Sequence, residues 1–150
     1  MKRLLIAVAI ISIGLFGFGA PALAAPPDPD TAKAVAKWVL NGGEADLRKL
    51  GTDFGELEKA ANANDLKAMS TSCKHLQRDV NASQDYDPIP DKQAQAGWAK
   101  ALDLYEQGAK DCIKGADTAN SDLLIKASKE IIDGSTDLQK VTARLKEISG

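Results

Sequence analysis

Two cysteines constrain this chain more than any other pair of residues. Cys73 and Cys112 are its only cysteines, and each falls on an apolar stripe of helical period. The upstream stripe is Leu66, Met69, Cys73, Leu76 and Val80, spaced three, four, three and four. The downstream one runs through Trp98, Ala101 (with Leu102), Tyr105, Ala109 (with Gly108), Cys112 and Ala116. Such spacing puts side chains on one helix face. Two inward-facing sulfurs can be joined only if their Cα atoms come within about 7 Å, so bridging requires the two helices to lie side by side. Two cysteines leave a single intramolecular pairing. Closing a loop of about 40 residues stabilises a fold by about 4 kcal/mol in the chain-entropy description, a large share of a domain's usual ~5–15 kcal/mol.

The rest of the chain repeats this rhythm. Asp30 or Thr31 can cap a short helix over Ala32 to Leu40, and Asn41-Gly42-Gly43 reads as its left-handed stop. From Glu44 to Asn62, Leu47, Leu50, Phe54, Leu57 and Ala61 form a second stripe, with Gly51 and Gly55 beside it as a possible close helix contact. Asn64 or Asp65 caps the Cys73 helix, and Asp91 opens the long Cys112 helix. Asn120-Ser121 starts a last segment with Leu124, Ala127, Ile131, Leu138, Val141, Leu145 and Ile148 in phase, Gly134-Ser135 being its weak turn. No stretch alternates with period two. The expected fold is all-α: a bundle of about four helices, a short extra N-terminal helix and one disulfide.

The first 24 residues read as a signal peptide. Lys2 and Arg3 precede an uncharged apolar run from Leu4 to Phe18, Pro21 breaks it, and Ala22-Leu23-Ala24 supplies a small-x-small cleavage pattern. The expected organisation is therefore 1–24 signal peptide, 25–30 extended proline-rich leader and 31–150 helical domain, secreted or held in the cell envelope, with no membrane span after cleavage. An uncleaved anchor is the alternative, since about 18 apolar residues can just cross a bilayer. Loss of Lys2 and Arg3 takes the net charge from −2 to about −4. Acidity spread along the chain argues against nucleic-acid binding, which needs a basic stripe.

Few residues offer chemistry. His75, the only histidine, lies about 200° around the helix from Cys73 and so is expected on the surface rather than as a metal or haem ligand. Met69 stands six positions before it, too far round the helix to complete an axial pair. No serine sits in a strand–turn–helix elbow, and no Glu-x-x-His pair or EF-hand loop is present. Arg48, Arg78 and Arg144 fall off the inward stripes, which weakens an anion pocket of the kind small all-α enzymes build. No catalytic residue, metal site or cofactor is expected. The candidate recognition residues are Tyr86, Trp98 and Trp38, because Asp85-Tyr86-Asp87-Pro88-Ile89-Pro90 is a rigid crossing loop. The alternative role for that loop is to cap the end of the bundle.

The run Tyr86-Asp87-Pro88-Ile89-Pro90-Asp91, followed by Trp98, Ala101-Leu102, Tyr105, Gly108-Ala109, Asp111-Cys112 and Gly115-Ala116, resembles a pattern in small exported proteins and lipoproteins of actinobacteria, mycobacteria included. It covers roughly the last two-thirds of the chain beyond the signal peptide. The resemblance implies export, helices and a cysteine pair. It brings no activity with it, its members being largely uncharacterised. The chain departs from the lipoproteins in having no lipidation cysteine, and from small type VII secretion substrates in having no Trp-x-Gly turn.

The leading functional expectation is a secreted or envelope-associated, non-enzymatic interaction module facing an unknown protein or a cell-wall component. The alternatives are a carrier of a small apolar or haem-like ligand and, last, a small all-α enzyme with an anion pocket. A closed core favours the first, and a preformed cavity lined by Trp98, Tyr105 or Phe54 favours the second.

Overall fold

Proline can occupy the first turn of a helix, where its missing N–H would have no partner, and the described fold begins on one. The structure, a computed structural model, describes residues 28–149. The signal segment and most of the leader assigned from sequence lie outside them. Helix α1 spans Pro29–Trp38. It takes in Pro29 and Asp30, which were expected to be extended. Asn41-Gly42-Gly43 does interrupt the helix: Gly42 has φ +153°, outside helical geometry, and after this kink the chain runs directly into α2, Glu44–Asn62. That φ is open to glycine and strained for other residues.

The remaining boundaries follow the capping residues in the sequence. α3 is Leu66–Gln84, with the Asp65 carboxylate accepting the Ala68 N–H at 2.9 Å. α4 is Lys92–Asp117, where Asp91 accepts the Ala94 N–H at 2.8 Å. α5 is Ser121–Ser149, with Asn120 accepting the Leu123 N–H at 3.1 Å. Each cap satisfies a donor that has no partner inside the helix.

The fold is all-α, with no strand among the described residues. α3 and α4 form the centre, α2 packs on α3, α5 packs on α4, and α1 reaches across to α5. The Cys73–Cys112 disulfide ties the two central helices, Cα to Cα 6.2 Å, with both cysteines buried. The main core joins Leu76 and Val80 of α3 to Trp98, Leu102 and Tyr105 of α4 and to Val141, Leu145 and Ile148 of α5. Val35 and Trp38 of α1 close one end of it.

Close packing lies in a different place from that expected. Around Gly51 and Gly55 an added Cβ would meet nothing within 4 Å, so the Gly-x-x-x-Gly of α2 makes no helix contact. At Gly134 it would stand 3.2 Å from the Ala101 carbonyl oxygen and 2.8 Å from the Tyr105 ring. At Gly108 it would stand 3.2 Å from the Ala127 carbonyl oxygen. The expected weak turn at Gly134-Ser135 is thus a site where α5 presses against α4.

The α2 stripe is also rotated from its expected phase. Asp46, Leu50, Asp53 and Ala60 are the buried residues of this helix, Phe54 and Leu57 are half-buried, and Ala61 is exposed.

Candidate functional site

That rotation leaves a concavity between α2 and α5. α2 presses Leu50, Asp53 and Ala60 toward α3, leaving Phe54, Leu57 and Ala61 on a second face. α5 presents Leu124, Ile131 and Ile132 opposite them. Among the described residues no α2 Cα lies within 8 Å of an α5 Cα. The gap is an apolar cleft of about 580 Å³, with Met69 and Cys112 also in its wall. Phe54 and Ser135 separate it from an adjoining lobe of about 450 Å³, where Tyr105 and Leu138 meet Gln139, Thr142 and Lys146. Phe54 packs on Tyr105 with ring centroids 4.8 Å apart. The Tyr105 hydroxyl donates to Ser135 Oγ at 3.2 Å, and Ser135 donates onward to the Ile131 carbonyl. The dividing wall is therefore braced by a part-buried hydrogen bond, and burial of Tyr105 pushes its phenol up from the ordinary pKa.

The expected recognition residues are elsewhere. Trp38 and Trp98 are only 5% and 3% exposed and Tyr86 is half-buried. The Trp38 ring lies 5.9 Å from Tyr86 and 6.2 Å from Trp98, and its indole N–H donates to the Asp87 carbonyl. Ile89 is buried, and its N–H donates to the Gln95 side chain at 2.7 Å. In this geometry Tyr86, Trp98 and Trp38 are an internal cluster that pins the crossing loop over the bundle end. Their burial fits the loop's capping role, since aromatics of this size gain free energy on leaving water.

His75 is half-exposed, and it faces a neighbouring helix rather than open solvent. Its Nδ1 lies 3.2 Å from Glu56 Oε2 across the α2–α3 seam. Beside them is Asp53, 4% exposed, whose Oδ2 has no hydrogen-bond donor. One ligand-type atom from each of Asp53, Glu56 and His75 lies within 4.8 Å of the others. Desolvation, with the Asp79 charge next in weight, pushes the Asp53 carboxyl up to about 6. Asp79 is balanced by its neighbour, Arg78 donating through Nε at 2.7 Å and through a terminal nitrogen at 2.9 Å. Asp53 has no such partner.

Among the described residues the three arginines are each paired with an acid. Arg48 pairs with Glu44 at 3.7 Å, Arg78 with Asp79, and Arg144 with Asp91 at 2.9 Å. Sequence reasoning anticipated Phe54 and Tyr105 as possible cavity residues and missed the grouping of Asp53 with His75. The signal available was Asp53 itself, a carboxylate one position from Phe54 on a helix whose apolar face is narrow. Among the described residues, no helix is long and apolar enough to cross a membrane. Comparison of the chain with protein-family models, curated proteins and solved structures gives no match.

Proposed function

We propose that this chain is an exported, non-enzymatic binding module that carries a small apolar molecule in the cleft between α2 and α5. The observation behind this reading is the separation of those two helices over a wall of Phe54, Leu57, Leu124 and Ile131. A volume of about 580 Å³ is within the usual range of about 300–1,000 Å³ for small-molecule sites. Apolar walls with a few hydroxyls suit an aliphatic chain or a compact hydrocarbon ring system. An imidazole-ligated haem fits poorly, since His75 lies on the other side of α2, on the α2–α3 seam. Export rests on the leader and on the buried disulfide, which persists in oxidising compartments.

A second reading, a docking surface for a partner protein or cell-wall component, draws on Ile125 and Ile132. They are 69% and 61% exposed and seven positions apart on one face of α5, with Ile132 at the cleft wall.

The test is displacement of the fluorescent probe 1-N-phenylnaphthylamine by dodecanoate, read on the parent chain and on Ala61→Trp. Ala61 is an exposed cleft residue, so the indole fills the lobe without removing core atoms. The carrier reading expects saturable, one-to-one displacement and an affinity at least about tenfold weaker in the variant, a loss of 1.4 kcal/mol or more. Probe binding that ignores Ala61→Trp would overturn it. If dodecanoate has no effect while Ile132→Glu abolishes capture by a purified envelope fraction, the docking reading takes its place.

A further inference from the structure

A buried carboxylate whose Oδ2 meets no donor needs a proton or a cation to balance it, and two further ligand-type side chains stand beside Asp53 on the α2–α3 seam. Asp53 and Glu56 are three residues apart on α2, which puts them on neighbouring positions of one face. His75 comes from α3 and brings a ring nitrogen to 3.2 Å from Glu56. Arg78 already engages both oxygens of Asp79, the other acid facing Asp53 from α3. Lys49, four residues before Asp53 on α2, is paired with Asp46. Three groups therefore converge with two negative charges and no cation of their own, and one of them is 96% shielded with Oδ2 unpaired.

We propose that Asp53, Glu56 and His75 form a binding site for a divalent transition-metal ion, Zn²⁺ being the best match. The donor set decides the class. Two carboxylate oxygens and one imidazole nitrogen suit zinc and its borderline neighbours, whereas calcium and magnesium favour all-oxygen cages. Three protein ligands leave a fourth position open to water or a small ligand. The ligand atoms are spread over as much as 4.8 Å, and zinc bonds of about 2.0–2.2 Å need them somewhat closer. The half-exposed Glu56 and His75 side chains, 50% and 42% accessible, can make that movement by rotamer adjustment. Asp53 is held in place by burial and acts as the fixed ligand. Arg78 lies near enough to lower the affinity electrostatically, but its pairing with Asp79 absorbs most of that effect. Metal at this seam would clip α2 to α3, a helix pair that the disulfide does not join.

The site is independent of the apolar cleft, which opens on another face of α2. Isothermal titration of the untagged chain with Zn²⁺ tests it, and His75 being the only histidine makes the readout specific. The expected result is one ion per chain, with affinity lowered more than about 100-fold by His75→Ala, beyond the loss of a mere outer-shell partner. Asp53→Asn keeps the shape and removes a buried charge, so it should fold at least as stably yet lose the Zn²⁺-induced rise in Tm. Mn²⁺ should broaden the single histidine Hε1 resonance, while Mg²⁺ at the same concentration leaves it unchanged. No stoichiometric Zn²⁺ binding, or binding that survives His75→Ala, would overturn the proposal and leave a proton as the balancing charge at Asp53.

Discussion

The two sides of α5 are built from similar stripes and come out differently. Toward α4, glycine at 108 and at 134 lets one backbone approach the other's carbonyls, and the seam is shut. Toward α2, residues of ordinary size stand on both sides, the backbones stay apart, and a cleft results. Apolar periodicity says which face of a helix avoids water, whereas side-chain size and the pull of a third helix decide whether two such faces meet. α2 is drawn to α3 by burial of Leu50 and Ala60, and it cannot also close on α5.

Both seams rest on the α3–α4 pair, so the largest effect should come from its cross-link. Replacing both cysteines, Cys73→Ser with Cys112→Ser, should lower the urea-unfolding free energy by about 4 kcal/mol. A loss under about 1 kcal/mol would mean that the central pair holds without the bond. Next comes the closed seam itself. Gly134→Ala drives a methyl toward the Ala101 carbonyl and the Tyr105 ring and should cost about 1–3 kcal/mol as overpacking. The same denaturation experiment on Gly51→Ala should give the opposite sign, a gain of up to about 1 kcal/mol, because the added methyl meets open space and raises helix propensity. Equal signs for the two substitutions would erase the contrast between the seams.

A smaller effect of comparable size to that gain concerns the end of the closed seam, where Arg144 of α5 grips Asp91 at the start of α4. Asp91→Ala removes the cap and should cost about 1 kcal/mol. The Arg144 guanidinium, ahead of the Ala94 and Gln93 N–H groups, holds the Asp91 carboxyl below its ordinary 3.8. A lowered native pKa stabilises the fold fully above the unfolded value and loses that contribution as pH falls through the native value. Acid unfolding below about pH 4 should therefore be blunted in Asp91→Asn, which can still cap the helix. An unchanged acid limb would remove Asp91 from this role.

Much of this architecture could be read directly from the residues. Asp65, Asp91 and Asn120 marked three helix starts, and the shared phase of Cys73 and Cys112 placed α3 beside α4. What could not be read was any angle between helices. Phe54 and Leu57 have the spacing of core residues, and only the docking of α2 on α3 leaves them facing a gap. His75 lies about 200° around α3 from Cys73, and with α3 lying between α2 and α4 that direction leads to Glu56 and Asp53 as well as to water. Trp38, Tyr86 and Trp98 are separated by 48 and 12 positions, and their meeting depends on how α1 crosses the bundle end. Nothing local encodes that.

The proposed carrier role puts a ligand between α2 and α5, and methyl-resolved NMR during a titration with dodecanoate reads that cleft residue by residue. Saturable shifts of the Leu57, Leu124 and Ile131 methyls are expected, with those of Val35, Val80 and Ile148 in the closed core unmoved. Shifts spread evenly over both sets, or absent from the first, would rule out a ligand in the cleft.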